Sequence, residues 1–376
     1  MEKGHEFVGK VIQLHPSASS TLRDQWIGQR VCGDINIGCC NFATLDDDNE
    51  ADSCNKCGIC NDKLNYNKYH SQMSRNHCPN RTVLGILNQD GTFAEYMIVP
   101  LSNLHVVPDG MKNEVAVFAE PLAAACRVVE QGFVQFCYDD KVEEEKETCE
   151  SGEKMMMRRC GDRVAILGDG KLGLCIAEIL GREYLKAVAK CRSSLSTRVT
   201  PPHPPILFGK HQHKLDLVAD SGVERRLVTE CYNDDDGKQG QISSNYANQF
   251  DVVIDATGNP NGLTLAMSLC RPMGRLVLKS TCAAGTSGFN SAPIVVDELQ
   301  VVGSRCGPID KALELLEGNS VESVDENGNL VSPPLRMEKY ITEIFPLSRV
   351  RDALECAAKK TTMKVQLIMG EEECQP

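Results

Sequence analysis

The sequence is poor in positive charge. Its 376 residues carry 40 Lys and Arg against 52 Asp and Glu, a formal net charge of −12. Nucleic acids and anionic membrane surfaces are bound through basic patches, so this balance argues against both and turns attention to small-molecule partners. The sequence also has no apolar run of the ~18 residues that a membrane-spanning helix needs. Its opening, Met-Glu-Lys-Gly-His-Glu, lacks the apolar block of a secretion signal. Internal repeats are absent as well. These absences point to an intracellular, cytoplasmic globular protein, long enough for two domains with a core each.

Cysteine, by contrast, is plentiful at 19 residues. In a long chain without a secretion signal, most of these are read as buried small hydrophobes or metal ligands rather than disulfides. Cys126, Cys175, Cys231, Cys270 and Cys356 sit in apolar or helical stretches that suit packing. Four others, Cys54, Cys57, Cys60 and Cys78, share one polar loop. Cys-x-x-Cys-x-x-Cys followed by a distant fourth cysteine can surround Zn²⁺ tetrahedrally, each sulfur about 2.3 Å from the metal, in a closed structural site. The competing reading is an iron–sulfur cluster, but the seventeen residues between Cys60 and Cys78 exceed the spacing of that pattern. Cys39 and Cys40 are adjacent, cannot both point into one cage, and are read as bystanders.

Short β-rich runs at 7–13, 29–35, 93–99 and 104–107 alternate with Gly, Asn and Asp turns, which predicts a small all-β unit. A helical pattern follows at 113–131. From Asp162 onward, strand-like runs at 163–167, 206–208, 251–255, 275–279 and 299–303 alternate with helix-length amphipathic pieces. That alternation predicts an α/β fold with a parallel, doubly wound sheet. Polar segments at 139–159, 191–205 and 230–249 read as surface insertions. Beyond Pro308 the pattern predicts a helix at 312–317, a strand at 340–345, a helix at 347–359 and a last strand at 364–369.

The strand at 163–167 runs into Gly168-Asp-Gly170-Lys171-Leu172-Gly173 and then a helical stretch. Strand, Gly-x-Gly-x-x-Gly and helix, in that order, form a dinucleotide-binding turn. The first glycine permits the tight bend, the second lets the backbone approach a pyrophosphate, and the third lets the helix lie close to the strand. An acidic residue at the tip of the second strand would hold the ribose 2′-hydroxyl of NAD. Here that strand ends in Gly209-Lys210-His211, without a carboxylate, which favours the 2′-phosphate of NADP over NAD. Thr257 and Gly258 close the next strand, where ligands of open α/β sheets sit.

Taken in order, these segments resemble the zinc-containing medium-chain dehydrogenase/reductase family, the relatives of alcohol, sorbitol and threonine dehydrogenases. Gly4-His5-Glu6-Phe7-Val8-Gly9 is similar to the family's Gly-His-Glu metal motif, and Cys54 to Cys78 to its structural zinc lobe. Glu120-Pro121-Leu122-Ala123 resembles its third-ligand segment, and Gly168 to Gly173, Asp255 to Gly258 and Gly303-Ser304-Arg305 resemble its cofactor domain. The resemblance implies a GroES-like β-barrel catalytic domain over 1–127 and 335–376 and a Rossmann domain over 128–334. It implies a catalytic zinc held by His5, Glu6 and Glu120, and hydride transfer between an alcohol or polyol, or the corresponding carbonyl, and NAD(P). It also implies a dimer or tetramer.

Family members carry a further segment before Gly-His-Glu, including a cysteine ligand of the catalytic zinc. Met1 stands three residues before Gly4, so the resemblance implies an N-terminally incomplete barrel. A nucleotide-binding protein that keeps only the structural zinc and is catalytically silent stays open as the alternative.

Overall fold

The computed structural model describes residues 3–39, 75–137, 158–159, 161–193, 199–200, 202–232, 242–281, 290–318 and 335–369. The chain divides into two compact units. The first comprises Met1–Cys126, Cys306–Ser320 and Leu335–Pro376, and the second Arg127–Arg305 and Val321–Pro334. The segment at 306–320 thus packs with the first unit, whereas the sequence reading put it in the Rossmann domain.

The first unit is built from short strands. β1 (Gly9–Lys10), β2 (Arg30–Gly33) and β6 (Leu104–Val106) form one antiparallel sheet, with helix α1 (Ser20–Trp26) between β1 and β2. β3 (Asn36–Ile37), β4 (Thr82–Leu84) and β5 (Asn88–Gln89) form a mixed sheet, β3 antiparallel and β5 parallel to β4. Ile35, Ile37, Val83 and Leu84 make its core, and Phe7, Met97, Val99 and Cys306 pack against them.

The strand expected at 93–99 does not form. Its side chains alternate as a strand's would: Met97 and Val99 pack inward, while Tyr96 and Ile98 are 74% and 91% exposed. No described strand lies alongside to complete a ladder, and alternation without a hydrogen-bonding neighbour is not a strand. The helical stretch at 113–131 resolves into α2 (Asn113–Ala116) and α3 (Ala119–Glu130).

The second unit is the doubly wound sheet. β7 (Arg158–Arg159) precedes β8 (Val164–Leu167), the glycine turn and α4 (Lys171–Ser193); β9 (Val199–Thr200) pairs with β7. Then come β10 (Ile206–Gly209), α5 (Gln212–Leu215), β11 (Glu224–Leu227), β12 (Phe250–Asp255), α6 (Pro260–Leu269), β13 (Cys270–Leu278), α7 (Ala292–Val296) and β14 (Gln300–Gly303). The six main strands are parallel in the order β11-β10-β8-β12-β13-β14. The chain first winds outward from β8 to β11 and then returns to start again at β12, so the strand order reverses between β8 and β12. A reversal of this kind leaves a crevice at the strands' carboxyl ends.

β8 is buried at all four positions and β12 at all six, as sheet covered on both faces requires. β11 escaped the sequence reading because Glu-Arg-Arg-Leu reads as polar. It is one of the sheet's two edge strands, and each of its residues is half-buried. The predicted insertions fall mostly outside the described residues, but their flanks carry order: β7 pairs with β9, and Tyr232 bridges Ile242.

The chain then re-enters the first unit with α8 (Ile309–Glu317), β15 (Ile341–Pro346), α9 (Val350–Ala357) and β16 (Lys364–Ile368). β15 and β16 pair in parallel, with α9 as the crossover. No helix among the described residues is long and apolar enough to cross a membrane.

Candidate active site and nucleotide turn

Gly4 has φ +89°, and a Cβ there would lie 2.5 Å from the Phe93 ring, so the segment before β1 needs glycine at this point. Backbone bonds from Thr92 N to Gly4 O and from Phe93 N to Lys3 O, 3.0 Å each, fix it in place. The next two residues, His5 and Glu6, are both partly buried. Glu120 stands in the first turn of α3, where the helix dipole favours an anion. One ligand atom each from His5, Glu6 and Glu120 lie within 4.8 Å of one another. One imidazole nitrogen and two carboxylate oxygens are donor types that zinc takes at roughly 2.0–2.2 Å, and small side-chain rotations would bring the three onto one ion. The donor set therefore fits the metal that the sequence resemblance implies.

A fourth residue belongs to this cluster and was not anticipated. Lys364, the first residue of β16, is buried, and its ammonium forms an ion pair with Glu6 Oε2. Its Nζ also stands 5.2 Å from the centre of the Phe118 ring, one residue before α3. Burial pulls its pKa down to about 8. Within the strand, Lys364 and Gln366 are the two buried polar positions, and Gln366 Nε2 donates to Glu114 O at 2.8 Å. Two polar residues spaced by two on one face of a strand signal an inward face that is not purely hydrophobic. That pattern was available in the sequence.

Of the proposed structural cage, Cys54, Cys57 and Cys60 lie outside the described residues. Cys78 is buried, and its Sγ lies 3.4 Å from Cys39 Sγ. Cys39, read from the sequence as a bystander, is thus an immediate neighbour of a cage residue. It stands two residues after β3, whose partner β4 begins four residues after Cys78, so the ladder brings the two cysteines together.

In the second unit, the glycine turn follows β8 directly. Gly168 has φ +112°, and Gly173 presses so close that a Cβ on it would lie 1.9 Å from Gly168 O. A Cβ on Gly170, between them, would meet nothing within 4 Å. Two glycines are thus required by packing and one leaves open space beside the start of α4. That is the cradle a pyrophosphate would occupy, and the turn fits a dinucleotide. Lys171 and Leu172 open the helix.

At the neighbouring strand end, Thr257 N and Oγ1 donate to Asp255 Oδ1 at 2.9 and 2.7 Å, and Gly258 N donates to Ser280 Oγ at 2.7 Å. Gly209, Lys210 and His211 form the tip of β10, beside the glycine turn. A carboxylate does reach this tip, contrary to the sequence reading. It comes from Asp169, inside the glycine motif, whose Oδ2 accepts from Lys210 N (2.7 Å), His211 N (2.7 Å) and His211 Nδ1 (2.9 Å). Burial alone would raise the Asp169 pKa, but these donors outweigh it and hold the carboxyl below the usual range.

Two family models match the chain: the alcohol dehydrogenase GroES-like domain over residues 1–109 and the zinc-binding dehydrogenase domain over 205–318. D-arabitol-phosphate dehydrogenase of Enterococcus avium is 23% identical over 98% of this chain and 82% of its own length. L-threonine 3-dehydrogenase of Xanthomonas campestris pv. campestris (strain B100) is 33% identical over 80% of this chain and 66% of its own. Among solved structures, a zinc-binding dehydrogenase of Sinorhizobium meliloti 1021 bound to NADP superposes with a TM-score of 0.61. It is 22% identical, with 97% of this chain and 83% of that one covered.

Proposed function

Because the chain belongs to the zinc-containing medium-chain dehydrogenase family, we propose that it exchanges a hydride between an alcohol or polyol and a nicotinamide dinucleotide, with His5, Glu6 and Glu120 as the catalytic metal site. The observation that carries this assignment is the convergence of those three side chains within 4.8 Å. Two carboxylates and a neutral imidazole would carry a formal charge of −2, reduced to −1 by Lys364, so a divalent cation is electrostatically favoured there. Bound zinc would act as a Lewis acid that makes a substrate hydroxyl easier to deprotonate.

The chain's own residues prepare that chemistry. The Gly4 turn orients His5 and Glu6, α3 holds Glu120 at its dipole's positive end, and Lys364 keeps Glu6 from carrying an unpaired charge in a half-buried setting. Gly168, Gly170 and Gly173 would hold the pyrophosphate of the nicotinamide dinucleotide, and Thr257 and Gly258 would line the same crevice. At the tip of β10, Lys210 and His211 favour NADP over NAD.

The test is zinc content and turnover measured together. Two zincs per chain, with zinc-dependent oxidation of secondary alcohols or polyols by NADP, support the assignment. Bound nucleotide with a single zinc, lost only on mutation in the Cys54 to Cys78 cluster, and no turnover would replace it with a silent nucleotide-binding protein.

A further inference from the structure

Gly209 occupies the position at the tip of β10 where an NAD-recognising carboxylate would be expected, and its surroundings explain why it is glycine. A Cβ built on it would lie 2.7 Å from Asp169 Cβ, 2.8 Å from Leu215 Cδ2 and 3.0 Å from Asp169 Oδ2. The volume a side chain at 209 would need is taken by Asp169. Asp169 is 8% exposed, and its carboxylate closes a clasp between the glycine turn and the β10 tip through two backbone N–H groups and one imidazole nitrogen. A further backbone bond, Gly168 N to Phe208 O at 2.9 Å, ties the same two segments together.

We infer that Asp169 is a specificity-determining positioning residue: it excludes the carboxylate at 209 that would select NAD, and it fixes Lys210 and His211 so that their side chains receive the 2′-phosphate of NADP. The inference rests on the reading of this turn as a nicotinamide dinucleotide site, and deepens it. The clasp and a 209 carboxylate are sterically incompatible, so the glycine turn and the second-strand tip form one determinant rather than two.

The geometry also says how the tip is presented. The carboxylate charge is met by three converging N–H donors, so it is spent inside the clasp. With Nδ1 of His211 donating there, the outward nitrogen is Nε2, which donates to a phosphate when the ring carries both protons, on a side chain that is 36% exposed. Lys210 is exposed beside it, and its backbone N–H is committed to Asp169. Recognition of a phosphate at this tip therefore falls to the two side chains. A group that needed the Lys210 and His211 backbone amides would find them taken.

The test is calorimetric titration of the full chain with NADP and with NAD, for the wild type, Asp169→Asn, Asp169→Ala and the double variant Asp169→Gly/Gly209→Asp. The wild type is expected to bind NADP more tightly, and that comparison alone judges the nucleotide reading. Asp169→Ala is expected to lose about tenfold in NADP affinity, the order of one charge-assisted hydrogen-bond set, with NAD changed less than about twofold. The isosteric Asp169→Asn, which keeps the fold, is expected to fall between. The double variant is expected to prefer NAD. Equal losses for the two nucleotides in both single variants would make Asp169 general support for the turn and overturn the inference. Tighter NADP binding would make it a repulsive charge, and would overturn it equally.

Discussion

The ammonium of Lys364 is paired with the carboxylate of Glu6, from opposite ends of the described chain. The pair is buried on the lysine side and partly so on the glutamate side, with side-chain exposures of 8% and 24%. Removing one partner of such a pair leaves the other charged without compensation. Lys364→Met should therefore cost the metal-free protein about 3 kcal/mol, and zinc should recover part of that by taking over Glu6. Denaturant unfolding with and without a chelator measures both. A loss that zinc leaves untouched would reduce Lys364 to packing.

His5→Ala and Glu120→Ala each remove one of the three proposed ligands. Each should cost one zinc per chain by native mass spectrometry and lower kcat/KM on the order of a thousandfold, as removal of a Lewis acid worth several kcal/mol would. Nucleotide affinity should hold, because both residues lie in the first unit and the glycine turn in the second. Unchanged zinc content in both variants would mean that the trio is a hydrogen-bonded cluster and no metal site.

The glycines of the turn separate folding from binding. A Cβ at 173 would overlap Gly168 O, so Gly173→Ala should destabilise the second unit and lower its melting temperature. A Cβ at 170 meets only open space, so Gly170→Ala should melt like the wild type yet bind NADP at least tenfold more weakly, because the methyl fills the pyrophosphate cradle. If Gly170→Ala binds normally, the pyrophosphate lies elsewhere.

Burial pushes the thiols of Cys32, Cys231 and Cys270 up to about 12. Folded, they keep their protons well above the pH at which an unfolded cysteine loses them, so the stability they contribute is complete below about 9 and lost as pH rises towards 12. At pH 8 none of the three should react with iodoacetamide in the native protein, and all three should react after unfolding. Peptide mapping of labelled protein reads this directly, and rapid native labelling of any of them would contradict their burial.

How far the sequence could be read depended on whether a signal was local. The apolar runs within β8, β10, β12, β13 and β14, and the glycine turn between the first of them and α4, are consequences of neighbours in sequence. Their order on the page already implied the parallel sheet. His5, Glu6 and Glu120 could be grouped only through the family resemblance, because nothing local joins residue 5 to residue 120. Lys364 was passed over because a lysine in an alternating strand reads as its solvated face. Only its partner across the fold says otherwise. Asp169 was hidden as a variable position of a glycine motif, and the tip of β10 was judged from its own residues alone. The expected strand at 93–99 failed in the opposite way: its alternation is real, but a strand is a property of two segments, and periodicity describes one.

The parallel pairing of β15 with β16 has a consequence for how this protein is made. A parallel pair cannot close as a hairpin, so β16 joins its sheet only after α9 has been laid down between them. β16 is also the element that delivers Lys364 to Glu6. Glu6 is therefore made well before the strand that carries its counter-charge. Until then Glu6 and Glu120 lack the ammonium that Lys364 brings to their cluster in the folded protein. A divalent cation held by His5, Glu6 and Glu120 before that pairing would supply the missing positive charge and so favour folding as well as chemistry.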